Sequence, residues 1–149
     1  MNKIADELDR ILATAEPRLR DFDEPAASAA RDGKWSRKEI LGHLIDSATN
    51  NHQRFVRLQI ETALALPGYQ QSDWVRIQNY AGRPWRDLVD LWLAFNRHLA
   101  HVIRHADPKA AGHTWKSPSA EITLEFLIED YVGHLRHHLD QILEAREPA

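Results

Sequence analysis

Residues 130–142 read DYVGHLRHHLDQI and set His134 and His138 four positions apart. On an α-helix, positions i and i+4 share a face, so two imidazoles at this spacing can close on one metal ion. Two nitrogens do not complete a site, and at least one more ligand has to come from elsewhere in the chain. A bare HxxxH is equally compatible with one core histidine bonded to a neighbour and one in solvent. The chain has no cysteine. Disulfides, thiolate metal sites and nucleophilic thiols of its own are therefore excluded, and any metal must be held by nitrogen and oxygen.

Four helical segments would have to position these groups. In the first, Ile4, Leu8, Ile11, Leu12, Ala15, Leu19 and Phe22 repeat at a helical period. Pro17 inside that pattern predicts a kink or break. Residues 23–34 read as a loop. Ser36 followed by Glu39 has the spacing of a capping box and opens a second helix. Its core stripe is Ile40, Leu41, Leu44, Ala48, Phe55, Leu58 and Thr62, and it runs to about Ala65, ahead of Pro67-Gly68. Beside that stripe His43, Ser47, Asn50 and Arg54 form a polar seam. Residues 66–83 are a long crossover with one short helical turn inside SDWVRIQ. The third helix starts at Pro84, carries Leu88, Leu91, Trp92, Phe95, Leu99, Val102 and Ile103, and ends near His105. Residues 107–122 read as a second loop. The fourth helix starts with Thr123 as N-cap, presents Leu124, Leu127, Ile128, Tyr131, Leu135 and Ile142, and ends near Ala145. No stretch has a strand period. The expectation is all-α: a single four-helix-bundle domain over residues 1–149.

His43 enters through this geometry. A long crossover lets helices two and three run parallel, which makes helix four antiparallel to helix two. His43 then lies roughly 11 Å into helix two, and the midpoint of His134 and His138 lies roughly 13 Å before the end of helix four. In an antiparallel pair these heights match. Three imidazoles would share one level of the bundle, leaving coordination positions open for water or substrate, as in catalytic sites. The cofactor expected is a divalent transition metal, with zinc or nickel first among the ions imidazole suits. Asp46 reads as a carboxylate buttressing the ligands. Asn50 and Arg54 read as substrate-binding residues lining a pocket, with Arg54 able to hold an anionic group; an interhelical hydrogen bond or ion pair explains them as well. His98, His101 and His105 have a helical spacing that offers a second metal site, although a solvated flank is the plainer account. His52 and His113 have no partner at ligand spacing, and His137 points outward. Trp35, Trp85 and Trp92 read as core or helix-end anchors. Tyr69, Trp74 and Tyr80 either roof a pocket or bury the crossover.

Composition narrows the function. Of 149 residues 43% are hydrophobic and 28% charged, with a net charge of -3. That is an ordinary globular balance without a basic run, which argues against nucleic acid or an anionic membrane as partner. No apolar run approaches the ~18 residues of a membrane span. The amphipathic N-terminus lacks a signal-peptide core, so the cytoplasm is expected.

Three stretches together resemble the DinB-like (DinB/YfiT) superfamily: KWSRKEILGHLIDSATNNHQRF, GYQQSDWVRIQNYAGRPW and HLRHHLDQI. The Trp35-Ser36 start with Glu39, the His43 to Asp46 segment, and His134 and His138 followed by Gln141-Ile142 carry most of the likeness. The resemblance implies an up-down-down-up four-helix bundle, a divalent metal on three histidines matching His43, His134 and His138, and a homodimer. It implies a metal-dependent hydrolase of a small molecule. Relatives that use an external low-molecular-weight thiol make an S-transferase or isomerase the alternative. A non-catalytic metal-binding module and a plain dimerising scaffold are the readings outside catalysis.

Overall fold

The computed structural model describes residues 1–30 and 32–143. Four long helices dominate: α1 (Asn2–Arg20), α3 (Arg37–Arg57), α5 (Trp85–Arg104) and α6 (Leu124–Leu143). Two short ones join them, α2 (Glu24–Ser28) and α4 (Gln71–Ile77). Three short strands, β1 (Ala63–Leu64), β2 (Thr114–Lys116) and β3 (Glu121–Thr123), form one sheet in that order.

Cross-helix pairs fix the direction of each long helix. Arg20 meets Asp90, Glu16 meets Arg97 and Asp6 meets Arg104, so α5 runs antiparallel to α1. Arg37 donates to the Ile142 carbonyl, His43 meets His138 and Phe55 meets Tyr131, so α6 runs antiparallel to α3. Arg136 pairs with Glu7 while Arg18 and Leu143 border one cleft, so α1 and α6 run the same way. The result is an up-down-down-up four-helix bundle. Both α1 and α3 pack on α5 and α6, which puts α1 and α3 on a diagonal.

The elements start for legible reasons. Ser36 Oγ accepts from the Glu39 amide at 3.2 Å and Glu39 Oε1 accepts from the Ser36 amide at 3.1 Å, a complete capping box. Thr123 Oγ1 accepts from the Phe126 amide at 3.2 Å and caps α6.

Five expectations are corrected. Pro17 does not end α1, which continues to Arg20; the missing amide deprives only the Ala13 carbonyl one turn back, and buried Leu19 holds the last turn down. The 23–34 loop contains α2, started by Asp23, whose side chain accepts from the Ala26 amide at 2.8 Å. The second helix ends at Arg57, not near Ala65, because residues 63–64 are drawn into β1. The absence of strands also fails. The 107–122 loop holds β2 and most of β3, and these strands, at three residues each, are too short to show a period of two. Among stripe positions, Thr62 and Leu91 are exposed, while Val132 and Leu139 join the core. The expected end of helix four near Ala145 lies outside the described residues.

The sheet ties α3 to α6. His113 Nδ1–H donates to the carbonyl of Leu58, the residue that caps α3, and the His113 carbonyl accepts from the amide of Leu124, where α6 begins. The crossover is tied down near His43. The Tyr80 ring lies so close to Gly42 that a Cβ there would stand 2.2 Å from Tyr80 Cδ2. The Tyr80 hydroxyl donates to Asp46 Oδ1 at 2.7 Å.

Candidate metal centre

His43 sits in the second turn of α3 and is fully buried, while His134 and His138 sit half-buried in the second half of α6. Antiparallel packing brings the three together, with one ligand nitrogen from each ring within 4.8 Å of the others. Ring centroids are 5.1 Å apart for His43 and His134, 4.8 Å for His43 and His138, and 4.5 Å for His134 and His138.

The spacing of the nitrogens suits a shared ion. His43 Nε2 and His134 Nε2 are 3.3 Å apart. Two imidazole nitrogens at about 2.0–2.1 Å from a shared tetrahedral ion stand roughly 3.4 Å apart. His138 Nδ1–H donates to Gln141 Oε1 at 2.8 Å, which fixes the tautomer and leaves Nε2 as the free lone pair. The Gln141 amide nitrogen lies 3.4 Å from His137 Nε2, so the exposed third histidine orients the glutamine.

Electrostatics favour neutral rings, the form that binds metal. Burial, reinforced by His138 and His134, takes the His43 pKa from 6.5 down to about 4. Among the described residues His43 Nδ1 is buried without a hydrogen-bond partner, so no carboxylate of theirs draws a proton onto the ring. Burial also lowers the His134 pKa, and His138 and His137 add to it against an opposing pull from Asp130, one turn earlier. Trp35 covers His43, its ring centroid 5.2 Å away.

The other expected site residues fall along α3. Asp46 is buried, and its Oδ1 accepts from Tyr80 and Gln78, each at 2.7 Å. Its bonds therefore go to the crossover. Burial raises its pKa against those two bonds. Asn50 is half-buried and donates to the Asp46 carbonyl at 2.9 Å. Arg54 is buried, with its guanidinium carbon 3.9 Å from the centre of the Trp115 ring. Tyr69 bonds to Ser47 and its ring lies tilted beside Trp74, centroids 4.9 Å apart, so the crossover lies over the seam at Ser47.

The remaining histidines do not assemble a second three-ligand group among the described residues. His98, His101 and His105 are exposed on α5. His52, for which the sequence offered no partner, meets His98 edge-on at 5.2 Å. Gln141 and Trp115 escaped the sequence reading as site residues. Gln141 stands three positions after His138, a spacing that could have flagged it. Trp115 had no signal, because it reaches Arg54 from an unforeseen strand.

Comparison with known proteins bears on the family and the fold. Residues 7–142 match the profile of the DinB superfamily. A protein of Oceanobacillus iheyensis named "Putative metal-dependent hydrolase" is 27% identical over 121 residues, 80% of this chain and 70% of its own. YfiT of Bacillus subtilis, given the same description, is 28% identical over 116 residues, 76% of this chain and 65% of its own. The solved structure of YfiT, described as having an unusual four-helix bundle topology, superposes with a TM-score of 0.79 at 22% identity, covering 94% of this chain and 84% of that one. At that identity the superposition speaks for the fold. With the family profile matched from α1 to the end of α6, the chain belongs to the DinB superfamily.

Proposed function

We propose that the chain is a metal-dependent hydrolase of a small-molecule substrate, with a divalent transition metal, zinc or nickel, held by His43, His134 and His138. The observation that carries the reading is the convergence of three imidazole nitrogens within 4.8 Å. An ion bound by three neutral imidazoles keeps its full charge and supplies Lewis acidity, acidifying water and polarising a carbonyl. The chain contributes the rest. Burial holds His43 neutral, Gln141 holds the His138 tautomer, and Trp35 keeps water from one face of the His43 ring. Asn50 and Arg54 extend the same face of α3 and would line the substrate's path, with Asp46 as the buttress that ties the crossover to α3 beside it.

Elemental analysis of the purified protein and of His138→Ala tests the site. One tightly held transition metal in the first and its loss in the second is the expected result; a wild-type protein without such a metal removes the reading. Ester and amide panels run with and without chelator then test hydrolysis. Product that forms only when an external low-molecular-weight thiol is added moves the assignment to a transferase. A cytoplasmic homodimer belongs to the same proposal, and a sedimentation mass of one chain would remove the dimer.

A further inference from the structure

Arg54 is a charge buried without a counter-charge. Its side chain is 9% exposed, and no carboxylate lies within ion-pairing distance of it among the described residues, whereas the surface arginines Arg20, Arg97 and Arg104 all have one. Its polar contact is long, Nη1 to Asn51 Oδ1 at 3.4 Å. The acidic residue nearest on the same helix, Asp46, lies two turns back, roughly 12 Å along the axis, and is engaged by Tyr80 and Gln78. Burying an unpaired charge is costly, and the cost is recovered when an anion arrives. Burial accordingly presses the Arg54 pKa down, with only Tyr69 nearby to oppose it.

The surroundings are arranged as a receptor. The Arg54 guanidinium carbon lies over the Trp115 ring at 3.9 Å from its centre, and Trp115 is itself pinned by Nε1–H donating to the Leu66 carbonyl at 3.0 Å. An indole seat of this kind leaves the N–H fork of the guanidinium for a carboxylate to accept. Among the described residues the hydrogen bond of its guanidinium is the one from Nη1 to Asn51, which leaves Nε and Nη2 to a ligand. The neighbours Asn51 and Tyr69 are neutral, so a single positive charge faces the ligand and suits a monoanion better than a phosphate.

We propose that Arg54 on Trp115 binds the carboxylate of the substrate. Eleven residues separate His43 from Arg54 on α3, three turns that return to the same face, and Asn51, which Arg54 touches, lies roughly 12 Å along the axis from His43. The substrate class is therefore an elongated small molecule with a carboxylate at one end and the reacting group at the other. That second clause rests on the metal reading; the carboxylate receptor does not.

The experiment separates them. Octanoate and its neutral counterpart octanamide are titrated into the metal-free full-length chain while NMR follows the Arg54 Nε–H and Trp115 Nε1–H resonances. Charge-assisted hydrogen bonds should make octanoate bind roughly tenfold to a hundredfold tighter, with both resonances moving. Equal affinity, or an unmoved Arg54 resonance, overturns the proposal. Asn51→Asp supplies an internal carboxylate where an amide oxygen now sits, and it should raise the melting temperature and abolish the preference for octanoate. A preference that survives Asn51→Asp also overturns the proposal. Acetohydroxamate titrated into zinc- or nickel-loaded protein reports on the three histidines alone, so its failure to bind would count against the metal and not against Arg54.

Discussion

Gly42→Ala is the substitution whose cost can be worked most directly from the structure. A Cβ at residue 42 would stand 2.2, 2.3 and 2.7 Å from three carbons of the Tyr80 ring, where apolar contact settles at about 3.5–4.0 Å. The ring must retreat by more than an ångström, and it is not free to do so. Its hydroxyl donates to buried Asp46 at 2.7 Å and its edge is buried against α3. Overpacking costs roughly 1–3 kcal/mol. Loosening a hydrogen bond to a charged group adds roughly 1.5–3 kcal/mol. The gain from alanine over glycine inside a helix offsets about 1 kcal/mol. The expected net loss is roughly 1.5–5 kcal/mol, read from urea unfolding of the chelator-treated protein. In a Tyr80→Ala background the clash is absent, so the same glycine change should stabilise by about 1 kcal/mol. That reversal of sign is the diagnostic. If Gly42→Ala is neutral or stabilising with Tyr80 in place, the packing of the crossover beside His43 is not as described.

Acid should weaken the metal-free fold through His43. Its folded pKa, about 4, lies below the 6.5 of an unfolded chain, so the folded state binds this proton less readily. Its contribution is whole above pH 6.5 and declines as the pH falls toward 4, by roughly 2–3 kcal/mol at pH 4.5. Asp46, raised by burial, runs the other way, so the informative comparison is wild type against His43→Gln, whose acid slope should be flatter. Gln141→Leu frees the His138 ring and should weaken zinc affinity roughly 10- to 100-fold in a competition titration while leaving far-ultraviolet circular dichroism unchanged. Ser36→Ala removes the cap of α3 and should cost about 1 kcal/mol in urea unfolding; no loss would mean the capping box is dispensable.

The long helices were legible because each carries an apolar stripe, and α3, α5 and α6 carry a start signal as well. The Ser36 and Glu39 pair announced α3, Thr123 announced α6, and the rise along two antiparallel helices put His43 level with His134 and His138. What escaped was short or depended on partners distant in sequence. Three-residue strands have no measurable period, and residues 63–64 become a strand only because Thr114 and Trp115 arrive to pair with them. Arg54 shows the same limit. Its place on the seam followed from the helical wheel, but its isolation from every described carboxylate and its seat on Trp115 come from tertiary packing. Pro17 read as a break because the pattern alone did not show how few residues of α1 remained beyond it.

The double attachment of His113 has a consequence for tolerance. From the carbonyl of Leu58 back to His43 is roughly 22 Å of helix, and from Leu124 forward to the level between His134 and His138 is roughly 18 Å. These two arms pivot on one residue. Sliding α3 past α6 by a single residue would displace the nitrogens by about 1.5 Å, far outside the few tenths of an ångström that coordination permits. An imidazole with no part in the ligand set thus acts as the gauge block that sets the spacing of those that have one.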